Sequence, residues 1–569
     1  MTTYVLSEQV TKKVQEELQA YSPHVQQLLF CRGIVTKEEA TVFLNPSYTD
    51  HLHDPFLLNN MEEAVIRILT AITQNERIAI YSDYDCDGIP GAVVLHDFFK
   101  AIGYTNFQNY IPHRHYEGFG LNAKAVEKLQ QAQVKLIITI DCGTTDFDAV
   151  IKARELGVDV IITDHHEPKE NVPEAFAIVN PKVGNSYPFD GLCGSGVIFK
   201  LVQALIQRGV AENIFVLKEG KEKWLLDMVG LATIADMVPL TGENRVLAYY
   251  GLQVLRKSRR PGLQQLLRKQ NASMQHLTED DIGFTIGPRI NAASRMDSPE
   301  DAFLMLSTTD EADAGARVEH LERLNNERKG IVASMTKDAH RRLKRMEEIP
   351  EVLVMGDPLW RPSLVGLVAN KLAEEYNRPA FVWGKDGNGV IRGSCRSGSA
   401  TSVVVLMDEV ASSFLEYGGH HMSGGFGVQD EHIHRLSEVL NVAFASLGRK
   451  AQVSQEVLVD AVVALTDITK LFIKEQMSLA PFGMGNPKPL YLFENIRPKT
   501  IAVFGKAKEH TKLTFETDGV TEEAIAFFML PEDFKNEPKV GQKMQLYAHV
   551  EESFFMGRMQ TRLRIVDIL

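Results

Sequence analysis

Between residues 60 and 200 helical periodicity and short apolar runs alternate without a break, and this alternation restricts the fold more than any other feature of the chain. The spacing predicts helices over 61–73, 91–102, 122–132 and 145–156, with strands over 77–82, 107–111, 135–140 and 158–163. Such alternation is the pattern of a parallel sheet covered on both faces. A smaller α/β set starts near 351, with strands over 351–355, 379–383 and 389–394 and a helix over 363–376. Residues 200–345 are rich in charged helix formers, and 321–346 is expected to form one long connecting helix. The period changes again after 455, where 543–550 and 560–568 alternate like barrel strands, so an OB-like β-barrel is expected there. The first 50 residues are polar and helical in pattern. The expected domains are therefore 1–55, 56–270, 271–346, 347–450 and 455–569.

The first strand of the alternating region ends in Asp83-Tyr84-Asp85-Cys86-Asp87-Gly88. Alone, this matches the start of an EF-hand loop. That loop needs a preceding helix and a Glu at its twelfth position, which here is Val94. A strand before and a helix after place the aspartates instead at the C-terminal edge of a parallel sheet. Two further strands end the same way, one at Asp141 and one at Asp164-His165-His166. An aspartate ending a strand is often only a helix N-cap, and paired histidines often form a solvated turn. Three such ends delivered to one edge are harder to explain so. The concentrated negative charge calls for cations, and carboxylates with a little imidazole suit Mn²⁺ or Mg²⁺. Two cations sharing a carboxylate are a standard arrangement for phosphate ester hydrolysis, and Asp141 is the candidate bridge.

The charge balance is acidic, -13 over 569 residues, which excludes a uniformly basic surface but not a local basic groove. Two basic stretches, 256–260 and 341–345, are candidates; a solvated helix face is the plain alternative for each. The five cysteines have no C-x-x-C spacing and read as reduced thiols. No apolar run reaches membrane-spanning length, and the N-terminus lacks the pattern of a signal peptide, so a cytoplasmic location is expected.

With these residues in place, Asp164-His165-His166 downstream of Asp85-Cys86-Asp87 and Asp141 resembles the DHH phosphoesterase superfamily. Further stretches resemble its RecJ family of single-strand-specific 5′→3′ DNA exonucleases: Ile234-Ala235-Asp236-Met237-Val238-Pro239-Leu240, Pro288-Arg289-Ile290-Asn291-Ala292-Ala293-Ser294-Arg295, Gly418-Gly419-His420-His421, and Pro481-Phe482-Gly483-Met484-Gly485-Asn486-Pro487. The resemblance implies a parallel-sheet DHH domain, a helical connector, a smaller α/β DHHA1 domain and the OB-like barrel. It implies one metal at Asp85, Asp141 and Asp83, and a second at Asp87, Asp141, His165 and Asp236. His166, beside Asp164, would meet the scissile phosphate. Arg114, Arg289, Asn291 and Arg295 would line the nucleotide path, and Ser394, Arg396 and His420 would hold the terminal 5′ phosphate. It further implies single-stranded DNA as substrate, release of 5′-mononucleotides in repair and recombination, a monomer, and a single-strand binding protein or a helicase as protein partner. Arg361, Cys395 and Ser294 depart from the family pattern and bear on the phosphate pocket. The rival readings are a DHH phosphodiesterase for short oligonucleotides or cyclic dinucleotides, a DHH pyrophosphatase, and a non-catalytic replisome scaffold. Deletion of 455–569 is expected to weaken binding of long strands more than hydrolysis of very short ones.

Overall fold

A computed structural model describes residues 3–184, 186–398, 401–448, 456–505, 508–517, 519–555 and 558–569. They divide into two compact units. One combines residues 3–110, 121–287 and 456–569; the other combines 111–120 and 288–448. Among the described residues no helix is long and apolar enough to cross a membrane.

The larger unit contains the predicted parallel sheet. Its five strands run in the order Phe107–Tyr110, Arg77–Ser82, Val134–Ile140, Asp159–Thr163 and Ala177–Val179, all mutually parallel. The central strands are nearly continuous apolar runs because helices bury both of their faces. Helices Met61–Thr73, Gly88–Ala101, Ala123–Gln131 and Phe147–Glu155 lie within a few residues of the expected positions. The strand Ala177–Val179 is an addition to the sequence reading, being only three residues long and set among turns.

The C-terminal part of this unit is a seven-stranded, mainly antiparallel sheet. Its order is Ala461–Val462, Tyr491–Ile496, Met544–Phe555, Arg558–Ile568, Val520–Ala526, His510–Thr517 and Pro498–Phe504. Inward residues such as Tyr491, Phe493, Leu513, Phe515, Leu546 and Leu563 form its core, and Leu28 of the N-terminal helix Pro23–Phe30 belongs to the same cluster. The N-terminal segment read as helical also supplies a strand. Thr3–Leu6 pairs in parallel with Glu456–Val459.

In the smaller unit, helix Glu311–Leu343 runs 33 residues, starting ten residues earlier than its apolar pattern suggested. It packs on a five-stranded mixed sheet ordered Glu416–Gly419, Ser423–Val428, Ile391–Arg396, Ala380–Lys385 and Leu353–Gly356. Only the last pair is parallel. Its two glycine-rich strands lack the apolar alternation that marks a strand in sequence. All five cysteines are free thiols.

Candidate metal centre

The backbone ladder carries each acidic strand end into place. Asp83 N donates to Ile140 O, Asp141 N to Thr163 O and Asp164 N to Val179 O, at 3.0, 3.0 and 3.2 Å. Each aspartate thus sits one residue beyond its strand and still registers with its neighbour. After Asp83 the chain turns sharply into the helix Gly88–Ala101. Asp85 Oδ1 accepts from the backbone N–H groups of Asp87 and Gly88, at 2.8 and 3.2 Å. A Cβ on residue 88 would lie 2.5 Å from Asp83 O, so the turn needs glycine. Asp141 adopts a left-handed backbone, φ 62°, which Asn and Asp tolerate better than most residues.

Ligand-capable atoms gather in three overlapping groups, each within 4.8 Å: Asp83, Asp85 and Asp141; Asp87, His165 and Asp236; and Asp141, His165 and His166. The first brings together the three residues expected at one metal; the second brings together three of the four expected at the other, and Asp141, the fourth, meets His165 in the third group. His165 Nε2 lies 3.2 Å from Asp141 Oδ1 and 3.8 Å from both Asp87 Oδ2 and Asp236 Oδ2. The donor set fits a hard divalent cation. Asp141 Oδ1 is buried and accepts no hydrogen bond in good geometry, and the aspartates crowd one another. Burial, then the charges of Asp87, Asp85, Asp83 and Asp236, push Asp141 well above the usual carboxylate range. Burial and the charges of Asp87 and Asp85 push Asp236 up to about 9. A cation relieves this repulsion and completes the unsatisfied oxygen.

Asp164 has a different task. Its carboxylate accepts from Thr144 N, His165 N, His166 N and His166 Nδ1, the last at 2.7 Å. Burial alone would raise its pKa, but the bond and charge of His166 and the bonds from Thr144 outweigh it and hold Asp164 well below the usual range. Burial lowers the pKa of His166, and the bond and charge of Asp164 more than reverse this. Asp164 therefore orients the His166 ring through Nδ1. Asn180, donating to Thr144 Oγ1 and His166 O, braces the same turn.

One support was missed in the sequence. The helix Gly194–Ala211 points its N-terminus at Asp87: Gly194 N donates to Oδ2 and Ser195 N to Oδ1, at 2.6 and 2.7 Å. A Cβ on residue 194 would lie 2.5 Å from Asp141 Cβ. The signal was Gly191-Leu192-Cys193-Gly194-Ser195-Gly196, a glycine-rich entry to an apolar helix, the pattern of an anion-holding helix N-terminus.

The residues expected along the nucleotide path and at the terminal phosphate all lie in the smaller unit, and three of them converge. Arg295 Nη1 donates to Ser363 O at 2.9 Å, docking it on the first turn of the helix Pro362–Tyr376. Ser394 Oγ and Arg396 Nη2 approach the same helix at Gly366, where a Cβ would meet them at 3.3 and 3.4 Å. Cys395, between them, faces the core fully buried, so its departure from the family pattern leaves their face unchanged. Arg361 pairs with Glu327, and Ser294 is buried within its helix. The segment 111–120 carrying Arg114 meets Arg295 through a bond from the His115 side chain to the Arg295 backbone. Asn291 shares the helix Gly287–Met296 with Arg295, and His420 is exposed in the turn before Ser423–Val428. Arg289 differs from expectation. It is buried and its Nε donates to Glu322 at 2.6 Å, an internal ion pair with helix Glu311–Leu343.

The two basic stretches also part ways. Arg256 donates to Leu277 O, and Arg260 pairs with Asp97 and Asp227, so the first is largely spent internally. The second reaches the surface: Lys337, His340, Arg341, Lys344, Arg345 and Lys371 line a groove of about 610 Å³. A fourth acidic cluster, Asp297, Asp301 and His320, is partly neutralised by Arg317.

Three family models match the chain: the DHH family N-terminal domain over residues 77–233, the DHHA1 domain over 350–446 and the RecJ OB domain over 459–567. The chain is 37% identical over 521 residues to the single-stranded-DNA-specific exonuclease RecJ of Bacillus subtilis, covering 91% of this chain and 64% of that relative, just under two thirds of its length. It is 30% identical over 489 residues to RecJ of Haemophilus influenzae, covering 83% of this chain and 84% of that one. The crystal structure of RecJ in complex with Mn²⁺ from Thermus thermophilus superposes over 99% of this chain and 78% of its own, with TM-score 0.81 and 26% identity.

Proposed function

The chain belongs to the RecJ family, and on that premise we propose that it is a metal-dependent, single-stranded-DNA-specific exonuclease. It works 5′→3′, hydrolyses phosphodiester bonds and releases 5′-mononucleotides in repair and recombination. The observation that carries this reading is the pair of ligand clusters, Asp83–Asp85–Asp141 and Asp87–His165–Asp236, joined through the group Asp141, His165 and His166.

In this reading Asp83, Asp85 and Asp141 hold one Mn²⁺ or Mg²⁺, and Asp87, Asp141, His165 and Asp236 hold the other. The bound pair supplies Lewis-acid polarisation of the phosphate and a nucleophile at neutral pH. The chain's own residues do the rest. Helix Gly194–Ala211 fixes Asp87 through two backbone N–H groups. Asp164 fixes the His166 ring, which presents Nε2 to the scissile phosphate. Arg295, Arg396 and Ser394 bring donors of the kind that grip phosphate oxygens, with Arg114, Asn291 and His420 along the strand. The groove at Lys337–Lys371 adds cations suited to a polyanion. The protein acts as a monomer in the cytoplasm, beside a single-strand binding protein or a helicase.

Digestion of 5′- and 3′-labelled single- and double-stranded DNA with Mn²⁺ or Mg²⁺ tests the proposal. The expected result is immediate release of the 5′ label as mononucleotide from single strands only. Prior release of the 3′ label, or equal attack on blunt duplex, overturns it.

A further inference from the structure

The ligand Asp236 is held less directly than the others. It caps the C-terminus of the helix Leu226–Ala235, and the next residue, Met237, turns the chain through a left-handed backbone, φ 60°. Asp236 is not fixed by a strand ladder as Asp83 and Asp141 are. What fixes the chain beyond it is the segment Val238-Pro239-Leu240, and this segment rests on a turn that lies some 240 residues further along the sequence.

That turn is Pro481–Pro487. Leu240 N donates to Met484 O at 2.7 Å. Two glycines allow the approach. A Cβ on residue 483 would lie 2.9 Å from Leu240 Cδ1, and one on residue 485 would lie 3.2 Å from Pro239 Cβ. Gly485 also has φ +74°, so any side chain there is strained as well as crowded. The turn is closed on itself by reciprocal bonds between Gly483 and Asn486, at 2.9 and 3.1 Å. Asn486 is fully buried, and its Nδ2 donates to Leu479 O and Pro481 O, both at 2.8 Å. Its Oδ1 accepts from Arg32 Nε at 2.7 Å. Arg32, from the N-terminal segment, also donates to Pro487 O and pairs with Asp460.

We propose that the Pro481–Pro487 turn, clamped by Arg32, is a positioning element for Asp236 and thereby sets the affinity of the metal position that Asp236 completes. An unbroken line of short contacts runs from Arg32 through Asn486 and Met484 to Leu240, four residues from the ligand. Groups that orient a metal ligand from behind typically change metal affinity by about 10–100-fold when lost. The inference rests on Asp236 being a metal ligand. It also revises the expectation that residues 455–569 are a detachable strand-binding module. Removing them takes away the support of Pro239 and Leu240, so the deletion impairs hydrolysis of very short strands too.

The test compares Gly485→Val, the milder Gly483→Ala and Asp236→Asn in the full chain. Calorimetric titration of the metal-free protein with Mn²⁺ measures binding, hydrolysis of a short oligonucleotide gives the Mn²⁺ concentration for half-maximal rate, and melting in EDTA measures fold stability. Gly485→Val is expected to weaken the Asp236-dependent binding event about tenfold, with the rate recovered at saturating Mn²⁺ and the other binding event unchanged. Gly483→Ala should shift it less, because Leu240 can give way, and it carries the test if the valine variant does not fold. A merely structural turn would lower the melting temperature and leave both Mn²⁺ affinities as in the parent. That result, with Asp236→Asn losing one binding event, overturns the positioning role and leaves the metal assignment standing. Full Mn²⁺ binding by Asp236→Asn overturns the metal assignment itself, and this inference with it.

Discussion

The two units divide the candidate chemistry. All six candidate metal ligands and His166 lie in the larger unit, and all seven candidates for the nucleotide path and terminal phosphate lie in the smaller one. The larger holds mostly buried carboxylates, of which Asp85, Asp87 and Asp164 have backbone N–H donors behind them. The smaller, Arg289 apart, offers its polar and cationic side chains at intermediate or full exposure, and the edge strand Glu416–Gly419 of its sheet is exposed throughout. The difference follows from what each must hold. Clustered carboxylates repel and stay together only on a rigid, buried frame that a cation completes. A phosphodiester strand is flexible and hydrated, and exposed donors can meet it without first shedding so much water.

The division breaks most sharply at Asp141. Asp141→Asn keeps a side chain that tolerates φ 62°, whereas alanine would add backbone strain of about 1 kcal/mol. The amide removes the charge shared by two clusters. Hydrolysis should fall on the order of a thousandfold, the loss of several kcal/mol of charge stabilisation, while the fold survives. Single-turnover digestion together with Mn²⁺ titration checks this. Near-parental rate with one metal missing would show that Asp141 bridges nothing.

Two arginines of the smaller unit should then separate from each other. Arg289 is 5% exposed at its side chain and paired with Glu322. Arg289→Ala takes the paired cation from the partly buried Glu322 carboxylate and should cost about 3 kcal/mol in urea unfolding, with no Mn²⁺ dependence altered. A raised KM without loss of stability would return Arg289 to the nucleotide path. Arg396→Ala should do the opposite. It should raise KM for a 5′-phosphorylated strand about tenfold, the worth of a charge-assisted hydrogen bond, and leave the response to Mn²⁺ as in the parent. Equal KM for strands with and without the 5′ phosphate in both proteins would remove Arg396 from the terminal-phosphate role.

The same contrast explains what could be read from the sequence. The parallel sheet and its ligands were legible because period, strand length and acidic strand ends all agree within a local window. The sheet places Asp83, Asp141 and Asp164 on one edge by geometry alone. Strands Glu416–Gly419 and Ser423–Val428 were not legible, because glycine carries no periodic signal. The support of Asp87 left a glycine-rich signal at 191–196 that did not name its partner about 107 residues away. The support of Leu240 by Met484 is a backbone contact across about 244 residues, and no side-chain pattern reports it. The ion pair of Arg289 was not legible for the related reason that its partner Glu322 lies a full helix away. The opening aspartates could be grouped with Asp141 and His165 because those companions follow neighbouring strands.

The smallest expected effect concerns how the metal-bearing unit is assembled. His24, on the N-terminal helix Pro23–Phe30, stacks on Phe472 at 4.1 Å and lies 3.4 Å from Tyr491 Oη. Burial lowers its pKa from 6.5 to about 4. Above pH 6.5 neither the folded nor the unfolded chain protonates it, and nothing is lost. As the pH falls from 6.5 towards 4 the unfolded chain takes up a proton that the folded one refuses, so stability declines through that window. At pH 5 the contribution is about 1–2 kcal/mol, after discounting for the ring's partial exposure. His24→Phe keeps the aromatic contact and removes the proton. Urea unfolding at pH 7 and pH 5 should show the parent losing about 1–2 kcal/mol more than the variant. An equal loss in both would mean that the N-terminal helix does not hold His24 neutral against the C-terminal sheet. The three-segment assembly of the metal-bearing unit would then have to draw its acid sensitivity from elsewhere.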